Sequence, residues 1–599
     1  FSLFRIPTTM TTKSTVDRLL VGAMDFGTTY SGYALSFRTK PLKIITNTSW
    51  VAGSRSLLSL KAPTCVLVTP EKEFDSFGYQ AENKYVSLAE DGEHFDWYLF
   101  RHFKMVLHNS EELTQDTIIE DIKGRSLPAI SIFTMAVSYL KNHLLQALRD
   151  RIPETKQSDV HFVITVPAIW DDKAKQFMRQ AAINAGIENE QLSIALEPEA
   201  ASLWCQLIGS SRSHPEEGEE GSDIGIGDAI ASVGTQYMVI DLGGGTADIT
   251  VHEKQADGTL KEVYHPTGGP WGGTAVDRNF MAFLSDIVGN GTMREFTEEQ
   301  MSDLLDLLRE FENKKRSVTP KGNKSASSDK VTIKVPVSLK ELFERNGSSI
   351  EKAVQLSKHG GRVTWMGDKL RVDADIIRHF FYEPINEAVK HVRHLLAETE
   401  LNNVNTILLI GGFAECSLVQ DAFKKSFSRK QIIIPGESGL VVLKGAVLYG
   451  HRPRTITSRI ARCSYGVKVH VKFDKSVHPP NKKAIAADGT TVCRDVYNKY
   501  IEIGQRVTIG HTVSTISEPT SGSDTGLHFN LYTSRSKSTQ FVTDKGCRLL
   551  GTLQVPLAVG NTVADKRVET SLIFGDTELI LEAKQVKTGK MFRAYFPFE

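Results

Sequence analysis

Two glycine-containing stretches of the chain carry the residue types that a polyphosphate site needs. The clearer one, from 237 to 250, reads Tyr-Met-Val-Ile-Asp-Leu-Gly-Gly-Gly-Thr-Ala-Asp-Ile-Thr. Consecutive glycines permit a tight turn whose backbone N–H groups can approach an anion closely. These glycines are Gly243, Gly244 and Gly245. The oxygen-bearing residues beside them are Asp241, Thr246 and Asp248. Carboxylates of this kind act on Mg²⁺ through its water ligands, so the stretch indicates binding of a metal polyphosphate.

Taken alone, the glycine run could equally be an ordinary hairpin turn. A second copy near the start of the chain favours the phosphate interpretation. Residues 20 to 33 read Leu-Val-Gly-Ala-Met-Asp-Phe-Gly-Thr-Thr-Tyr-Ser-Gly-Tyr, again an apolar strand, an acid, a glycine and threonines. The candidate phosphate-binding residues in this copy are Gly27, Thr28, Thr29 and Tyr30. Two such loops predict two related lobes that hold one phosphate chain from opposite sides.

Other elements must position these loops. Apolar residues at helical spacing predict a helix from Ile130 to Leu148 that covers the first lobe. A second amphipathic helix begins near Met301 and ends in Glu312-Asn-Lys-Lys315-Arg316. A third glycine element, Gly411-Gly412-Phe413, follows a buried strand that starts at Thr406, and there glycines at a helix start let backbone approach a phosphate or a base.

The order of these motifs resembles the actin, sugar-kinase and heat-shock ATPase superfamily, and it is most similar to the seventy-kilodalton heat-shock (Hsp70) chaperones. Val-Ile-Thr-Val-Pro-Ala at 163–168 resembles a strand and proline of that family. Leu-Glu-Pro-Glu-Ala-Ala at 196–201 resembles its Asn-Glu-Pro-Thr-Ala-Ala motif. The closest wording is that of a divergent branch whose peptide-binding end is altered.

The resemblance implies an α/β fold, an actin-like two-lobed ATPase made of duplicated ribonuclease-H-like lobes. A small β-sandwich-like domain without a helical lid would follow it. We expect a disordered tail over 1–18, lobe I over 19–235, lobe II over 236–455 with a return to lobe I near 430–450, and a β-rich substrate-binding-like domain over 456–599. The acidic Gly/Ser-rich stretch between Gly209 and Gly234 is predicted to be a flexible surface loop.

The resemblance also implies which residues perform the chemistry. The catalytic set would be Glu197, Asp241, Lys104 and Thr246, with Lys104 orienting the attacking water. Two plainer interpretations stay open, since Glu197 could be a helix cap and Lys104 a solvated lysine beside Arg101.

Family wording likewise implies an ATP and Mg²⁺ site, with Asp25 and Asp241 contacting the metal through water. The implied nucleotide ligands are Gly27, Thr28, Thr29, Tyr30, Gly243, Gly244, Gly245, Thr246, Gly272, Gly273, Glu312, Lys315, Arg316, Gly411, Gly412 and Phe413. The basic end of the 301–316 helix could instead be simple capping. Glu415 stands where the family has an arginine that stacks on adenine, and Phe413 is a hypothetical replacement for that arginine.

The implied function is an ATP-binding and ATP-hydrolysing molecular chaperone with a divergent substrate domain. Two features depart from that function: Lys175 replaces an expected arginine, and a basic connector at 451–456 replaces the apolar Asp-Leu-Leu-Leu linker. The first alternative is a nucleotide-gated scaffold or recognition protein with little ATPase activity. The second is a small-molecule kinase of the same superfamily, which would have no use for the terminal β domain.

Composition limits the partners and the location. The 71 basic and 71 acidic residues give a net charge of zero, which argues against nucleic acid. Six cysteines without a Cys-x-x-Cys pair are typical of a reduced, cytoplasmic protein, and no apolar run is long enough for a membrane span. Expected partners are unfolded or folded protein clients and a nucleotide-exchange co-chaperone. Met10 is a candidate true start, which would make residues 1–9 an artefact.

Overall fold

The structure is a computed structural model. It describes residues 18–47, 50–52, 57–109, 113–114, 116–210, 226–321, 329–345, 347–485, 489–519, 524–557, 562–574 and 577–597. The tail over 1–17 and most of the acidic stretch, 211–225, lie outside the described residues, so the expectations for them stay untested. Within the predicted loop, however, a short helix forms over Ile226–Ala231 and packs against the helix Glu197–Ser210.

The first lobe is built on a mixed sheet. Its strands, in spatial order, are Leu192–Leu196, Val160–Val166, Leu20–Phe26, Tyr30–Phe37 and Lys40–Thr46. The first three strands are parallel to one another, and the last two run antiparallel. Every residue of Leu20–Phe26 is buried, which explains why this strand reads as a continuous apolar run with a single acid.

The second lobe repeats the same pattern. Its strands are Gln431–Ile433, Thr406–Ile410, Gln236–Leu242, Ala247–Lys254 and Leu260–Gly269 in spatial order. Again three neighbouring strands are parallel and two antiparallel strands follow, so the glycine loop after each central strand occupies the same place in its lobe. The duplicated architecture expected from the two loops is therefore present in the backbone.

Two crossing helices join the lobes. Glu197–Ser210 and Ser438–His451 pack so closely that a Cβ at Gly445 would lie 1.7 Å from the Ala200 carbonyl oxygen. Their apolar residues form one cluster with both central strands, including Ala23 and Val239. The two sheets therefore share a core at the base of the cleft.

Further helices cover the sheets. The predicted helix at 130–148 is present as Ala129–Arg149, and it buries Ile132, Phe133 and Leu140 against the first sheet. The helices are Tyr79–Glu90, Val106–Asn109, Ala129–Arg149, Asp172–Asn184, Glu197–Ser210, Ile226–Ala231, Thr274–Val288, Asn290–Glu299, Met301–Arg316, Val337–Glu344, Ile350–Leu356, Ala374–Phe380, Tyr382–Leu395, Ser417–Ser426 and Ser438–His451.

The upper parts of the two lobes touch across the cleft. Smaller sheets are formed by Trp50–Ala52 with Leu57–Ser59, by Phe74–Phe77, Cys65–Val68 and Tyr98–Arg101, by Ile118–Glu120 with Ser126–Pro128, and by Lys330–Lys334, Lys369–Asp373 and Val363–Met366. Tyr85 of the first lobe and Phe280 of the second belong to one apolar cluster. The carboxylate of Glu82 also binds Arg309 on the opposite helix, with Nη2 and Oε2 3.2 Å apart.

Beyond the lobes, two antiparallel sheets share one apolar core that includes Tyr465, Leu531 and Leu581. One sheet contains Lys483–Ile485, Thr491–Ile501, Ser464–Lys472, Gly526–Ser534 and Cys547–Pro556. The other contains Thr512–Ser517, Val568–Phe574, Glu578–Gln585 and Met591–Pro597. The last two strands form a hairpin, in which Glu578–Gln585 pairs with Met591–Pro597 around a Thr-Gly-Lys turn at 588–590.

The connector between the lobes and this β domain is itself a strand. Ile456–Ile460 pairs in parallel with Leu260–Gly269 of the second lobe, and Arg506–Thr508 of the β domain pairs with its other edge. On the first lobe, Thr577 Oγ1 donates a 2.8 Å hydrogen bond to the carbonyl oxygen of Ile194. The β domain therefore contacts both lobes.

A buried ion pair fixes the connector strand. Arg459 and Glu199 form two hydrogen bonds, one of them 2.8 Å from Nη2 to Oε2, and their side chains are 4% and 0% exposed. The next residue of the connector, Ile460, donates its backbone N–H to Oε1 of Glu262 at 2.9 Å. Glu199 stands where the family motif usually has a threonine. In this chain the acid at that position is paired with Arg459 of the connector strand.

We expect Arg459→Met to lower the free energy of unfolding by about 3–5 kcal/mol, because it leaves the Glu199 carboxylate buried without its partner. Urea denaturation followed by circular dichroism measures this change. The matched control is Lys425→Met, which removes the exposed ion pair with Asp421 and should cost less than about 1 kcal/mol. Equal effects of the two substitutions would contradict the role of the buried pair.

Burial raises the pKa of Glu262 to about 7, although Arg459 and the Ile460 N–H act in the opposite direction. The native carboxyl therefore keeps its proton up to a higher pH than the unfolded one, which titrates near ~4.3. Its contribution to stability consequently falls as the pH rises from about 4 to about 7.

Glu262→Gln should flatten this decline, whereas Glu253→Gln should not, because hydrogen bonds from Gln236, Gln255 and Lys261 outweigh partial burial and lower the pKa of Glu253. Urea midpoints of the three proteins at pH 5 and pH 8 provide the comparison. An unchanged difference between the two pH values in Glu262→Gln would show that this group does not titrate in the native range.

Candidate functional site

The two glycine loops face each other across the base of the cleft. A Cβ at Gly244 would lie 2.4 Å from Thr29 Oγ1, and one at Gly245 would lie 2.8 Å from Thr28 Oγ1. The second loop is also a hairpin turn, since Gly243 N–H donates to the Thr246 carbonyl at 2.9 Å. The hairpin interpretation of the glycine run is therefore correct for the backbone, and phosphate binding by the same turn stays a prediction. The loops are close enough that a phosphate chain between them requires them to separate.

A helix start supports the second loop from behind. The backbone N–H groups of Gly272, Gly273 and Thr274 donate to the carbonyl oxygens of the loop glycines at 3.2, 3.1 and 2.8 Å. A Cβ at Gly272 would lie 2.4 Å from the Gly244 carbonyl oxygen, so only glycine permits this approach. Gly272 and Gly273 therefore hold the shape of the loop, and their own N–H groups are engaged by it.

Lys104 and Glu197 form an ion pair at the floor of the cleft. Lys104 Nζ donates to Glu197 Oε1 at 2.8 Å, and the lysine side chain is only 4% exposed. Its ammonium also lies 5.0 Å from the centre of the Trp170 ring, a cation–π distance. Burial raises the pKa of Glu197 above its ordinary value, although Lys104 opposes this. The structure thus excludes a solvated Lys104 and places Glu197 in the cleft, at the first turn of its helix.

Asp25, at the end of the first central strand, has both oxygens engaged. Lys61 Nζ donates to Oδ2 at 2.6 Å and Thr165 Oγ1 donates to Oδ1 at 2.9 Å. Burial raises the pKa of Asp25, but Lys61, Lys104 and the hydrogen bond from Thr165 together lower it more, so the net pKa lies below the ordinary value. Asp25 is therefore an ionised, hydrogen-bonded carboxylate.

The second lobe contributes Asp241 and Asp248. Burial raises the pKa of Asp241 well above its usual range, and the negative charges of Glu197 and Asp248 raise it further. Burial likewise raises the pKa of Asp248 to about 7. Its Oδ2 accepts the Ala168 N–H, while its buried Oδ1 has no hydrogen-bond partner in the structure. These two carboxylates are crowded by like charge, in contrast to Asp25.

The residues predicted to hold the nucleoside form a separate cluster. Glu312 binds Arg316 at 2.6 Å and Lys315 at 2.5 Å, and Lys315 Nζ also bonds both oxygens of Asp277 at 2.7 and 2.8 Å. The Arg316 guanidinium lies 5.5 Å from the centre of the Tyr30 ring. Tyr30 therefore lies with the nucleoside cluster and connects it to the first loop.

The third glycine element lies against the second loop. Gly411 has a positive φ of 88°, and a Cβ there would meet Asp241 Oδ1 at 2.2 Å. Phe413 packs near Gly273, and its ring lies 6.2 Å from that of Phe381 at 18°. Glu415 accepts the Gly439 N–H at 2.9 Å. The acid that replaces the family's arginine thus binds the first turn of the helix Ser438–His451.

This donor set suits a nucleotide with a divalent cation. Carboxylates from both lobes lie close enough to raise one another's pKa values, and threonine hydroxyls of the first loop lie against Gly244 and Gly245 of the second. Among the described residues, no three His, Cys, Asp or Glu side chains converge to ligate one metal ion directly. The donor set is compatible with a cation held through water, and the metal contacts of Asp25 and Asp241 stay a prediction. Lys61 already lies beside Asp25.

Sequence reasoning missed three residues of this site. Asp277 follows the predicted ligands Gly272 and Gly273 closely in the chain, but its bond to Lys315 joins two different helices. Trp170 and Lys61 lie outside any motif, and nothing in the sequence signals that they approach the floor. Their positions depend on how the loops at 60–64 and 167–170 pack in three dimensions.

Comparison with known proteins agrees with this geometry. A family model described as "Hsp70 protein" matches residues 21–355, more than half of the chain. "Heat shock 70 kDa protein 12A" of Homo sapiens is 36% identical over 625 aligned positions, which cover 97% of this chain and 91% of that protein. The chain belongs to the Hsp70 family.

Other relatives place it within that family. "Heat shock 70 kDa protein 12B" of Homo sapiens is 34% identical over 97% of this chain and 91% of its own length. "Chaperone protein DnaK" of Mycoplasmopsis synoviae (strain 53) is 24% identical over 53% of this chain and 45% of its own length. The prediction of an Hsp70-family member in a divergent branch is confirmed, and the chain is an Hsp70-like nucleotide-binding protein with the actin-like fold. Within the described residues, no helix is both long and apolar enough to cross a bilayer.

Gly411→Ala should weaken nucleotide binding at least about tenfold, because the new Cβ displaces Asp241. The backbone cost of a positive φ, about 1–2 kcal/mol, comes in addition. Gly289→Ala is the matched control, since Gly289 also has a positive φ, of 83°, but would meet nothing within 4 Å. Calorimetric titration with ATP measures both variants. Equal affinities would show that Asp241 need not hold its observed position.

Proposed function

We propose that this Hsp70-family chain binds ATP with Mg²⁺ between its lobes, hydrolyses it slowly, and uses the bound state to control protein clients at the β domain. The buried pair of Lys104 and Glu197 is the observation that carries this proposal. A buried ion pair has a high desolvation cost, so its position between two phosphate-type loops favours a catalytic use.

The proposed phosphate end uses the loop hydroxyls and the floor carboxylates. Thr28, Thr29 and Thr246 would donate to phosphate oxygens together with the backbone of the loop glycines. Bound Mg²⁺ would supply neutralisation of the phosphate charge, with Asp241 orienting its water ligands. Catalysis of this kind consists mostly of positioning and charge compensation.

Within that arrangement, Glu197 is the proposed acceptor of a proton from the attacking water. Lys104 bonds Oε1, so we assign the water to Oε2. A raised carboxyl pKa suits a group that must take up a proton near neutral pH. Lys104 holds the carboxylate in place and adds positive charge where the phosphate becomes more negative.

For the nucleoside end, Glu312 and Lys315 would bind the ribose hydroxyls and Arg316 would lie against the base. All three already form one charged cluster with Asp277, which orders them. Phe413 is the proposed stacking partner in place of the family's arginine. In this proposal Gly411 and Gly412 keep the backbone near the base open.

The β domain is the proposed client-binding part, with unfolded or folded proteins as candidates and a nucleotide-exchange co-chaperone as a further partner. Its two sheets share one core and contact both lobes, so a change between lobes reaches it directly. No disulfide joins the six cysteines, all of which lie in the described part of the chain, and this supports the proposed cytoplasmic location.

A second candidate is a nucleotide-gated recognition protein with little turnover. Glu415 favours it, because this acid binds the Gly439 N–H and adds negative charge near Arg316, the residue proposed to contact the base. In that case ATP would act as a ligand that sets the conformation, and the β domain would hold a folded partner.

Phosphate release from MgATP distinguishes the two. Glu197→Gln should reduce the rate at least about 100-fold while ATP affinity changes only a few-fold, because the amide cannot accept the proton. Thr246→Ala should weaken both binding and turnover. Glu253→Gln, which changes a carboxylate outside the site, is the control.

Turnover that needs Glu197 and rises with an unfolded client would establish the chaperone. Tight ATP binding, together with negligible turnover that does not change when an unfolded client is added, would instead favour the recognition protein. Failure of ATP to bind at all would refute both.

A further inference from the structure

Lys61 is positioned on the first phosphate loop by its backbone neighbours. Ala62 and Pro63 pair with Ser31 and Tyr30 of the strand that follows the loop. Thr64 Oγ1 then donates to the Gly27 carbonyl at 2.8 Å. The segment that carries Lys61 is therefore bonded to the loop on its C-terminal side.

The side chain also has a prepared path to the cleft floor. A Cβ at Gly32 would lie 3.0 Å from Lys61 Cγ, so the glycine leaves space for the aliphatic stem. The side chain is 18% exposed, and Asp25, which it contacts, is 7% exposed. A lysine held in this way is not a surface residue that happens to point inward.

The pattern of charge at the floor is asymmetric between the lobes. In the first lobe, Asp25 is bound by Lys61 at 2.6 Å and Glu197 by Lys104 at 2.8 Å. In the second lobe, the negative neighbours of Asp241 include Glu197 and Asp248, while the cations that act on Asp248 are Arg462 and Lys175. Each of these first-lobe carboxylates is thus paired with a lysine side chain, a cation that cannot dissociate from the protein. A polyphosphate that binds at this floor adds several negative charges. Without the two lysines, neutralising those charges would require metal ions or other cations from solution.

We propose that Lys61 is a nucleotide-site residue, a fixed counter-ion at Asp25 that supplies part of the charge neutralisation otherwise required from a divalent cation. This inference rests on the proposed function, since it concerns the same ATP site. It means that the chain binds ATP with only weak dependence on Mg²⁺. Lys61 acts here through Asp25 and the local charge, so it is a positioning residue.

The test is the ATP affinity of the full chain, measured by calorimetry in Mg²⁺ and in EDTA at constant ionic strength. Wild type should lose less than about tenfold on removal of Mg²⁺, whereas Lys61→Met should lose more than about 100-fold. Lys61→Arg, which keeps the charge, should behave as wild type. Lys84→Met should also match wild type, because Lys84 is a half-exposed lysine of the same lobe that pairs with Asp75.

The ratio of the two affinities is taken within each variant, so a partly misfolded preparation does not distort it. Equal weakening of Lys61→Met in both buffers would overturn the proposal, since Lys61 would then be an ordinary phosphate ligand. No weakening in either buffer would also overturn it. If wild type binds no ATP in either buffer, the proposed function fails first.

A second measurement needs no nucleotide. Removal of Lys61 leaves the floor more negative, so millimolar MgCl₂ alone should raise the melting temperature of Lys61→Met more than that of wild type or Lys61→Arg. The same rise in all three proteins would contradict the counter-ion role even if ATP binds.

Discussion

The concentration of carboxylates at the floor of the cleft is the constraint on which the rest of this structure depends. Asp25 and Glu197 come from one lobe and Asp241 and Asp248 from the other, all largely removed from water. Isolated buried charges of this kind are costly, so the fold has to provide cations, hydrogen bonds or protonation. Lys61 and Lys104 neutralise the first lobe, and raised pKa values relieve the second.

The surrounding elements follow from that requirement. The two central strands are almost completely buried, and each carries its acid at the next-to-last residue. Asp25 and Asp241 therefore lie where the strands end, at the floor. Glycines are needed where the loops meet, since a side chain at Gly244 or Gly272 would occupy the neighbouring backbone or hydroxyl. Packing of Gly445 against Ala200 brings the lobes close enough for the charges to interact.

Local patterns carried much of this information. Apolar runs predict the strands before both glycine loops, because those strands are buried on both faces. Apolar periodicity likewise predicts the helix Met301–Arg316, which buries one face. What could not be predicted depends on contacts between distant segments. Lys61 reaches Asp25 through the pairing of Pro63 with Tyr30, and Arg459 meets Glu199 only when the connector strand joins the second sheet. A lysine or arginine in isolation gives no sign of such a partner. The helix Ile226–Ala231 lies in an acidic, glycine-rich stretch whose composition predicts a loop. It could not be predicted because it packs against the helix Glu197–Ser210, which its own sequence does not indicate.

The connector strand gives the β domain a mechanical relation to both lobes. Ile456–Ile460 is a strand of the second lobe's sheet, while Thr577 donates a hydrogen bond to the Ile194 carbonyl of the first lobe. The β domain therefore joins the second lobe through a paired strand and the first lobe through several separate contacts. Arg459 in the connector binds Glu199 on the first-lobe helix Glu197–Ser210, and Arg462 Nη1 donates to the Ala168 carbonyl oxygen at 3.1 Å. The connector is therefore held by both lobes at once. A rotation of the lobes would load the buried pair of Arg459 and Glu199 directly, so lobe movement and the position of the β domain are coupled through this pair.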